Sequence, residues 1–120
     1  MKASEIIKAD AVKRKIDPNK VLRTVSALVK AKSAILMQEN DSVLLVRKIN
    51  PTSAEIHLFT EDNPRILAKS AIGFVRRGRG LGIKTFYAEA DNQGIVELLK
   101  RVGLNVEASD LPQYNLKANI

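Results

Sequence analysis

Residues 66–82 run Ile-Leu-Ala-Lys-Ser-Ala-Ile-Gly-Phe-Val-Arg-Arg-Gly-Arg-Gly-Leu-Gly, and the conformation of the first half of this stretch decides what the second half is. If a strand precedes Arg77-Gly78-Arg79-Gly80-Leu81-Gly82, the alternate glycines make a loop whose backbone approaches an anion closely. A following helix would then add its N-terminal N–H groups and partial positive charge. If a helix precedes it, the same glycines are a stop signal, and the arginines suit a helix C-terminus. The first outcome points to a phosphate-binding enzyme and the second removes its loop.

The flanking residues favour the helix. Glu61-Asp62-Asn63-Pro64 is a dense helix start, an Asx cap followed by proline at the first helical position. A helix over 64–78 places Leu67, Ala71, Phe74 and Val75 on one side and Arg65, Lys69 and Arg76 within a narrow arc opposite. Ile83-Lys84-Thr85-Phe86-Tyr87-Ala88 then reads as a strand. The rival frame makes residues 71–75 a strand and 83–102 a helix. It forces Thr85-Phe86-Tyr87 and Asp91-Asn92-Gln93-Gly94 into that helix and leaves no length for the remaining elements.

Elsewhere the periodicities are those of a mixed chain. Ile6, Ile7, Val12 and Ile16 recur at helical spacing, and Asp17-Pro18 opens a second helix carrying Val21, Leu22, Val25, Leu28 and Val29. Ile35-Leu36-Met37, a polar turn at 39–42 and Val43-Leu44-Leu45-Val46 read as a hairpin. Residues 54–60 alternate as a third strand with Ala54, Ile56 and Leu58 on one face. Asp91-Asn92 caps a last helix bearing Ile95, Val96, Leu98, Leu99 and Val102, with Gly103 as its stop. Strands over 104–108 and 113–119 close the chain, giving the order ααβββαβαββ and an α+β fold. We expect one domain over residues 1–120, without repeats or low-complexity segments.

Composition removes several chemistries. No cysteine means no disulfide, thiolate metal site or cysteine nucleophile, and a single histidine, His57, excludes a multi-histidine metal centre. His57 on a strand is by default structural or solvent-facing, and Tyr87 and Tyr114 are by default packing residues. No apolar run reaches a bilayer-spanning length and the N-terminus lacks a secretory signal, so a soluble, unexported chain is expected. The net charge of +7 is localised. Residues 1–32 carry nine Lys or Arg against three acids, and residues 63–84 carry six with none. Such patches attract a polyanion, a phosphorylated cofactor or an acidic protein face.

The element order is similar to that of the GNAT superfamily, the acetyl-CoA-dependent N-acetyltransferases, without its first strand. Residues 83–104 carry the motif resemblance. An asparagine after a splayed strand opens a helix that ends at a glycine. The resemblance implies a mixed, mostly antiparallel sheet with helices on both faces. It also implies departures. The family's pyrophosphate pattern is matched in letters by Arg77, Gly80 and Gly82, but in the family that loop follows the fourth strand, where this chain has Glu61-Asp62-Asn63-Pro64-Arg65. Two acids and a proline without an N–H disfavour a pyrophosphate there. The position of the family's acidic tyrosine is Leu99, and the aromatic after the helix glycine is Leu104.

These losses set the expectation of a degenerate GNAT-like domain used for interaction or assembly, similar to small virion proteins of tailed phages. It would have no catalytic residues, cofactor or metal, and would act within a cell or a virion. Its basic surface would be Arg65, Lys69, Arg76, Arg77 and Arg79. The partner would be an acidic protein or, alternatively, nucleic acid bound without sequence preference; no membrane is expected. The enzyme alternative is an acetyl-CoA-dependent N-acetyltransferase with Glu55 or Glu61 as base and Arg77, Gly78, Gly80 and Gly82 holding the cofactor.

Overall fold

The computed structural model describes residues 1–89 and 93–120, and it begins with two helices, α1 (Ala3–Lys13) and α2 (Pro18–Lys30). Asp17 caps α2 by accepting from the N–H groups of Asn19 and Lys20 at 3.0 and 3.4 Å. Pro18 fits at the first turn because an N–H there has no intrahelical partner. The expected stripe of α1 holds only in its first half. Ile6 and Ile7 are fully buried, but Val12 is exposed and Ile16 lies beyond the helix end. The inward positions that follow are Asp10 and Ala11, so α1 buries a carboxylate where its pattern suggested an aliphatic residue.

Three antiparallel strands come next, β1 (Ile35–Glu39), β2 (Ser42–Asn50) and β3 (Ser53–Thr60). Asn40 turns the first hairpin at φ 51°, a conformation that asparagine tolerates well. Helix α3 (Pro64–Gly80) crosses to β4 (Thr85–Ala88), which runs parallel to β3. After α4 (Gln93–Arg101), β5 (Asn105–Ala108) and β6 (Leu116–Asn119) complete a six-stranded sheet of order β1-β2-β3-β4-β6-β5. The expected Asp91-Asn92 cap of α4 lies outside the described residues. The fold is α+β, mostly antiparallel, in the order read from the sequence.

The strands' alternation divides the core. Val43 and Phe59 pack under Ile6, Ile7 and Val25 of the first two helices. Leu44, Val46 and Ala54 face the other way, against Phe74 of α3 and Phe86 of β4.

Residues 71–76 are helical, and Leu67, Ala71, Phe74 and Val75 are the buried side of α3. The glycines after them end the helix. Gly82 has φ +81°, its N–H bonds the Arg79 carbonyl at 3.0 Å, and the Ile83 N–H bonds that of Gly78 at 3.0 Å. This paired closure of a helix end needs a left-handed residue, which glycine adopts without strain. Gly78 is there for packing, since a Cβ would meet the Phe86 ring at 2.6 Å and Ile120 at 3.1 Å, whereas Gly80 faces open space. Gly78→Ala should therefore cost about 1–3 kcal/mol. Gly80→Ala should leave stability unchanged or raise it by up to about 1 kcal/mol. Thermal unfolding of the two variants distinguishes a packed helix end from a loop in which both glycines serve a ligand.

Candidate active site

The sheet is open along one seam. β3 and β4 are in register at Ser53–Thr85, Ala54–Phe86 and Glu55–Tyr87, and pairing then stops while β3 continues to Thr60. On its other side β3 stays paired with β2 as far as Thr60. The Thr60 N–H bonds the Asp10 carboxylate at 3.2 Å and not β2, so it points into the seam. By strand alternation the main-chain groups of Leu58 and Ile56 point the same way.

The last turn of α1 covers this free edge. Arg14 donates to the Leu58 carbonyl at 3.4 Å and Lys13 to that of Thr60 at 2.8 Å. Arg14 also pairs with the buried Asp10 at 2.9 Å. A cavity opens on each face of the seam. One, of about 140 Å³, is lined by apolar side chains that include Ile56, Phe74, Phe86 and Leu99. The other, of about 330 Å³, lies between α1, α2, β2 and β3. Arg14 and His57 border both cavities.

Glu55 stands at the vertex, the last β3 residue in register with β4. It belongs to one rung crossing five strands: Arg47, Glu55, Tyr87, Lys117 and Glu107, all on one face. Arg47 lies 3.5 Å from Glu55, and Lys117 lies 3.5 Å from Glu107. Tyr114, from the segment between β5 and β6, donates its hydroxyl to the Glu55 carboxylate, and its ring lies 5.6 Å from that of Tyr87. Tyr87 donates in turn to Asp110 at 2.8 Å.

Hydrogen bonding to Glu55, aided by burial, pushes the Tyr114 hydroxyl up to about 12. The bond to Asp110 and burial raise Tyr87 as well. A raised phenol contributes stability that is complete below its unfolded value of 10 and is lost as the pH climbs through its folded value. Stability should therefore fall as the pH rises from 10 to about 12, and Tyr114→Phe should remove part of that fall. Absorbance titration of the two tyrosinates should find both midpoints above 10.

The other sequence candidates fall in different places. Glu61 is ion-paired with Lys13 beyond the end of β3. Asp62 accepts from the hydroxyls of Ser42 and Ser70 at 2.6 and 2.8 Å and from the Asp41 N–H at 3.0 Å. The two acids after β3 are thus held by internal partners and do not stand as free repulsive charges. Asn63 occupies the Ile66 N–H at 3.0 Å, which leaves the start of α3 few donors for an anion. Arg77, Gly78 and Gly80 lie in the last turns of α3 and Gly82 follows it; of these Gly78 packs against Phe86, where β3 and β4 are joined. The strand that an anion-binding loop requires is absent there. Of the basic surface, Arg65, Lys69, Arg76 and Arg79 are exposed on α3, while Arg77 donates to the Gln38 carbonyl at 3.1 Å and so belongs to the contact with β1.

No protein-family model matches the chain, and no curated protein matches it. Solved structures do. Campylobacter jejuni N-acetyltransferase PseH in complex with acetyl coenzyme A aligns over 100% of this chain and 92% of its own, with TM-score 0.58 and 18% identity. Aminoglycoside 6'-acetyltransferase type Ii aligns over 96% and 84%, with TM-score 0.62 and 13% identity. The putative acetyltransferase yncA of Salmonella typhimurium, solved with acetyl-CoA, aligns over 96% and 82%, with TM-score 0.56 and 13% identity. The chain has the GNAT fold.

That finding corrects two expectations. The GNAT structures it resembles are acetyltransferases, which counts against the expected assembly role. Two of them hold acetyl-CoA, which overturns the expectation of no cofactor. Nothing among them supports likeness to a virion protein. Among the described residues, no helix is long and apolar enough to cross a membrane and no His, Asp and Glu cluster suits a metal ion. Leu99 lines the smaller cavity, and the phenol held against the vertex carboxylate is Tyr114, which sequence reading assigned to packing.

Proposed function

We propose that the protein is an acetyl-CoA-dependent N-acetyltransferase whose acyl donor lies in the β3–β4 seam and whose general base is Glu55. The observation that carries this reading is the seam itself, where pairing ends at Glu55 and leaves the edge of β3 open between two cavities. An extended ligand carrying amides recognises such an edge by adding to it as a strand would. Lys13 and Arg14, which cap the Thr60 and Leu58 carbonyls, would give way to the pantetheine arm.

The cofactor's two ends fit differently. The apolar cavity and open edge suit the arm, whereas the start of α3 offers little backbone N–H to phosphate. Its charge would be met by the exposed Arg65 and Lys69 on the first turns of α3. Arg65→Glu combined with Lys69→Glu should weaken acetyl-CoA binding far more than acetyl-pantetheine binding. Equal effects on both would show that these residues do not serve the phosphates.

Glu55 removes a proton from the attacking amine, while Tyr114 and Arg47 fix its carboxylate. When bound, acetyl-CoA would supply the acetyl group, and the proton that Glu55 takes from nitrogen would pass to the departing thiolate, which restores the carboxylate. A saturating ligand at 100 times its dissociation constant adds about 2.7 kcal/mol to folding stability. Acetyl-CoA should accordingly raise Tm, and no shift at millimolar concentration would sink this reading.

A further inference from the structure

The larger cavity is an apolar chamber with a cationic rim. Val25, Leu45 and Phe59 form its interior, and its ionisable lining among the described residues is Asp10, Arg14, Lys20 and His57. Asp10 is 3% exposed and already engaged by Arg14 and the Thr60 N–H, so it offers no charge to a ligand. The Arg14 charge is offset by the same pair, so the uncompensated charge facing a ligand is the ammonium of the exposed Lys20. A polyamine or another polycation would face Lys20 without a compensating carboxylate, and charge mismatch of that kind rejects a partner.

The chamber also has a direction. His57, on its wall, lies two residues along β3 from Glu55 and on the same face, roughly 7 Å away. His57 stacks on Phe59 at 4.7 Å, so the wall passes from aromatic to ionisable as it nears the seam. A molecule with its amine between His57 and Glu55 would set an adjacent carboxylate toward Arg14 and Lys20 and an apolar body against Phe59 and Val25.

Resting on the acetyltransferase reading, we propose that this chamber is an acceptor site for a free α-amino acid with an apolar side chain. The carboxylate is read by Lys20, with the Asp10-paired Arg14 beside it, the side chain by the apolar interior, and the α-amine is the group presented to Glu55. Charge-assisted hydrogen bonds to a carboxylate are the strongest of these contacts and set the preference.

The test is calorimetric binding of three probes in the absence of acetyl-CoA: L-phenylalanine, phenethylamine, which lacks the carboxylate, and spermidine. L-phenylalanine should bind at least about tenfold more tightly than phenethylamine, equivalent to about 1.4 kcal/mol. Spermidine should bind most weakly. Lys20→Glu, at an exposed position, should abolish the preference for L-phenylalanine while leaving phenethylamine unaffected or improved. Equal affinity for L-phenylalanine and phenethylamine, or preference for spermidine, overturns the assignment. Acetyl-CoA is titrated separately. If it binds and L-phenylalanine does not, the acceptor assignment alone fails; if L-phenylalanine binds and acetyl-CoA does not, the transferase reading fails and the amino-acid site stands.

Discussion

Glu55→Gln should lower kcat for amine acetylation by about 100- to 10,000-fold, the usual loss when a positioned base is removed. The glutamine amide oxygen can still accept from Tyr114, so the local packing should persist. What it cannot do is take a proton. The expected signature is a loss in kcat with acetyl-CoA affinity preserved, measured by thiol release and by calorimetry. Glu61→Gln provides the comparison, because Glu61 is paired with Lys13 beyond the strand and not at the vertex. It should cost less than about tenfold, the range of an indirect electrostatic change. A large loss at Glu61 with none at Glu55 would exchange the assignments.

The largest expected loss of stability is at Asp62. Its two oxygens take three donors, the hydroxyls of Ser42 and Ser70 and the Asp41 N–H, and both serines are fully buried. This knot ties the β1–β2 turn to the end of β3 and to α3. Removing the carboxylate leaves the Ser42 and Ser70 hydroxyls only Thr60 Oγ1 and the Glu39 carbonyl, at 2.6 and 3.1 Å, and forfeits hydrogen bonds to a charged group worth about 1.5–3 kcal/mol each. Asp62→Ala should therefore destabilise by about 3 kcal/mol or more and lower Tm by about 10 °C. Asp62→Asn keeps one acceptor oxygen and should lose less. A urea midpoint for Asp62→Ala within error of the wild type would show that water replaces the knot.

The element order was legible because each element carries its own local signal. Asn63-Pro64 and Asp17-Pro18 fix helix starts, Ala54, Ile56 and Leu58 alternate, and Leu67, Ala71, Phe74 and Val75 hold the spacing of a helix face. The facing of Glu55 followed from the same alternation. The rest of the site depends on tertiary contacts that leave no periodic trace. Tyr114 reaches Glu55 from 59 positions away, out of a segment read as the start of the last strand, which begins only at Leu116 and leaves Tyr114 in the connection before it. Asp10 sits on the buried side of α1, where a carboxylate is expected only with a partner, and Arg14 and Thr60 are that partner. The seam is a place where pairing stops, and the residues on either side of it, Glu55 and Ile56, continue one uninterrupted strand.

The glycine run illustrates the same limit. In letters it fits the pyrophosphate pattern, and only the helix before it removes that reading. Acetyl-CoA therefore has two places to occupy, the seam or the glycines. Amide NMR of the uniformly labelled protein during an acetyl-CoA titration distinguishes them. The largest shift changes are expected at the backbone N–H groups of Ile56, Leu58 and Thr60, with Arg77 to Gly82 nearly unmoved. Changes centred on Gly78, Gly80 and Gly82 with β3 silent would contradict it.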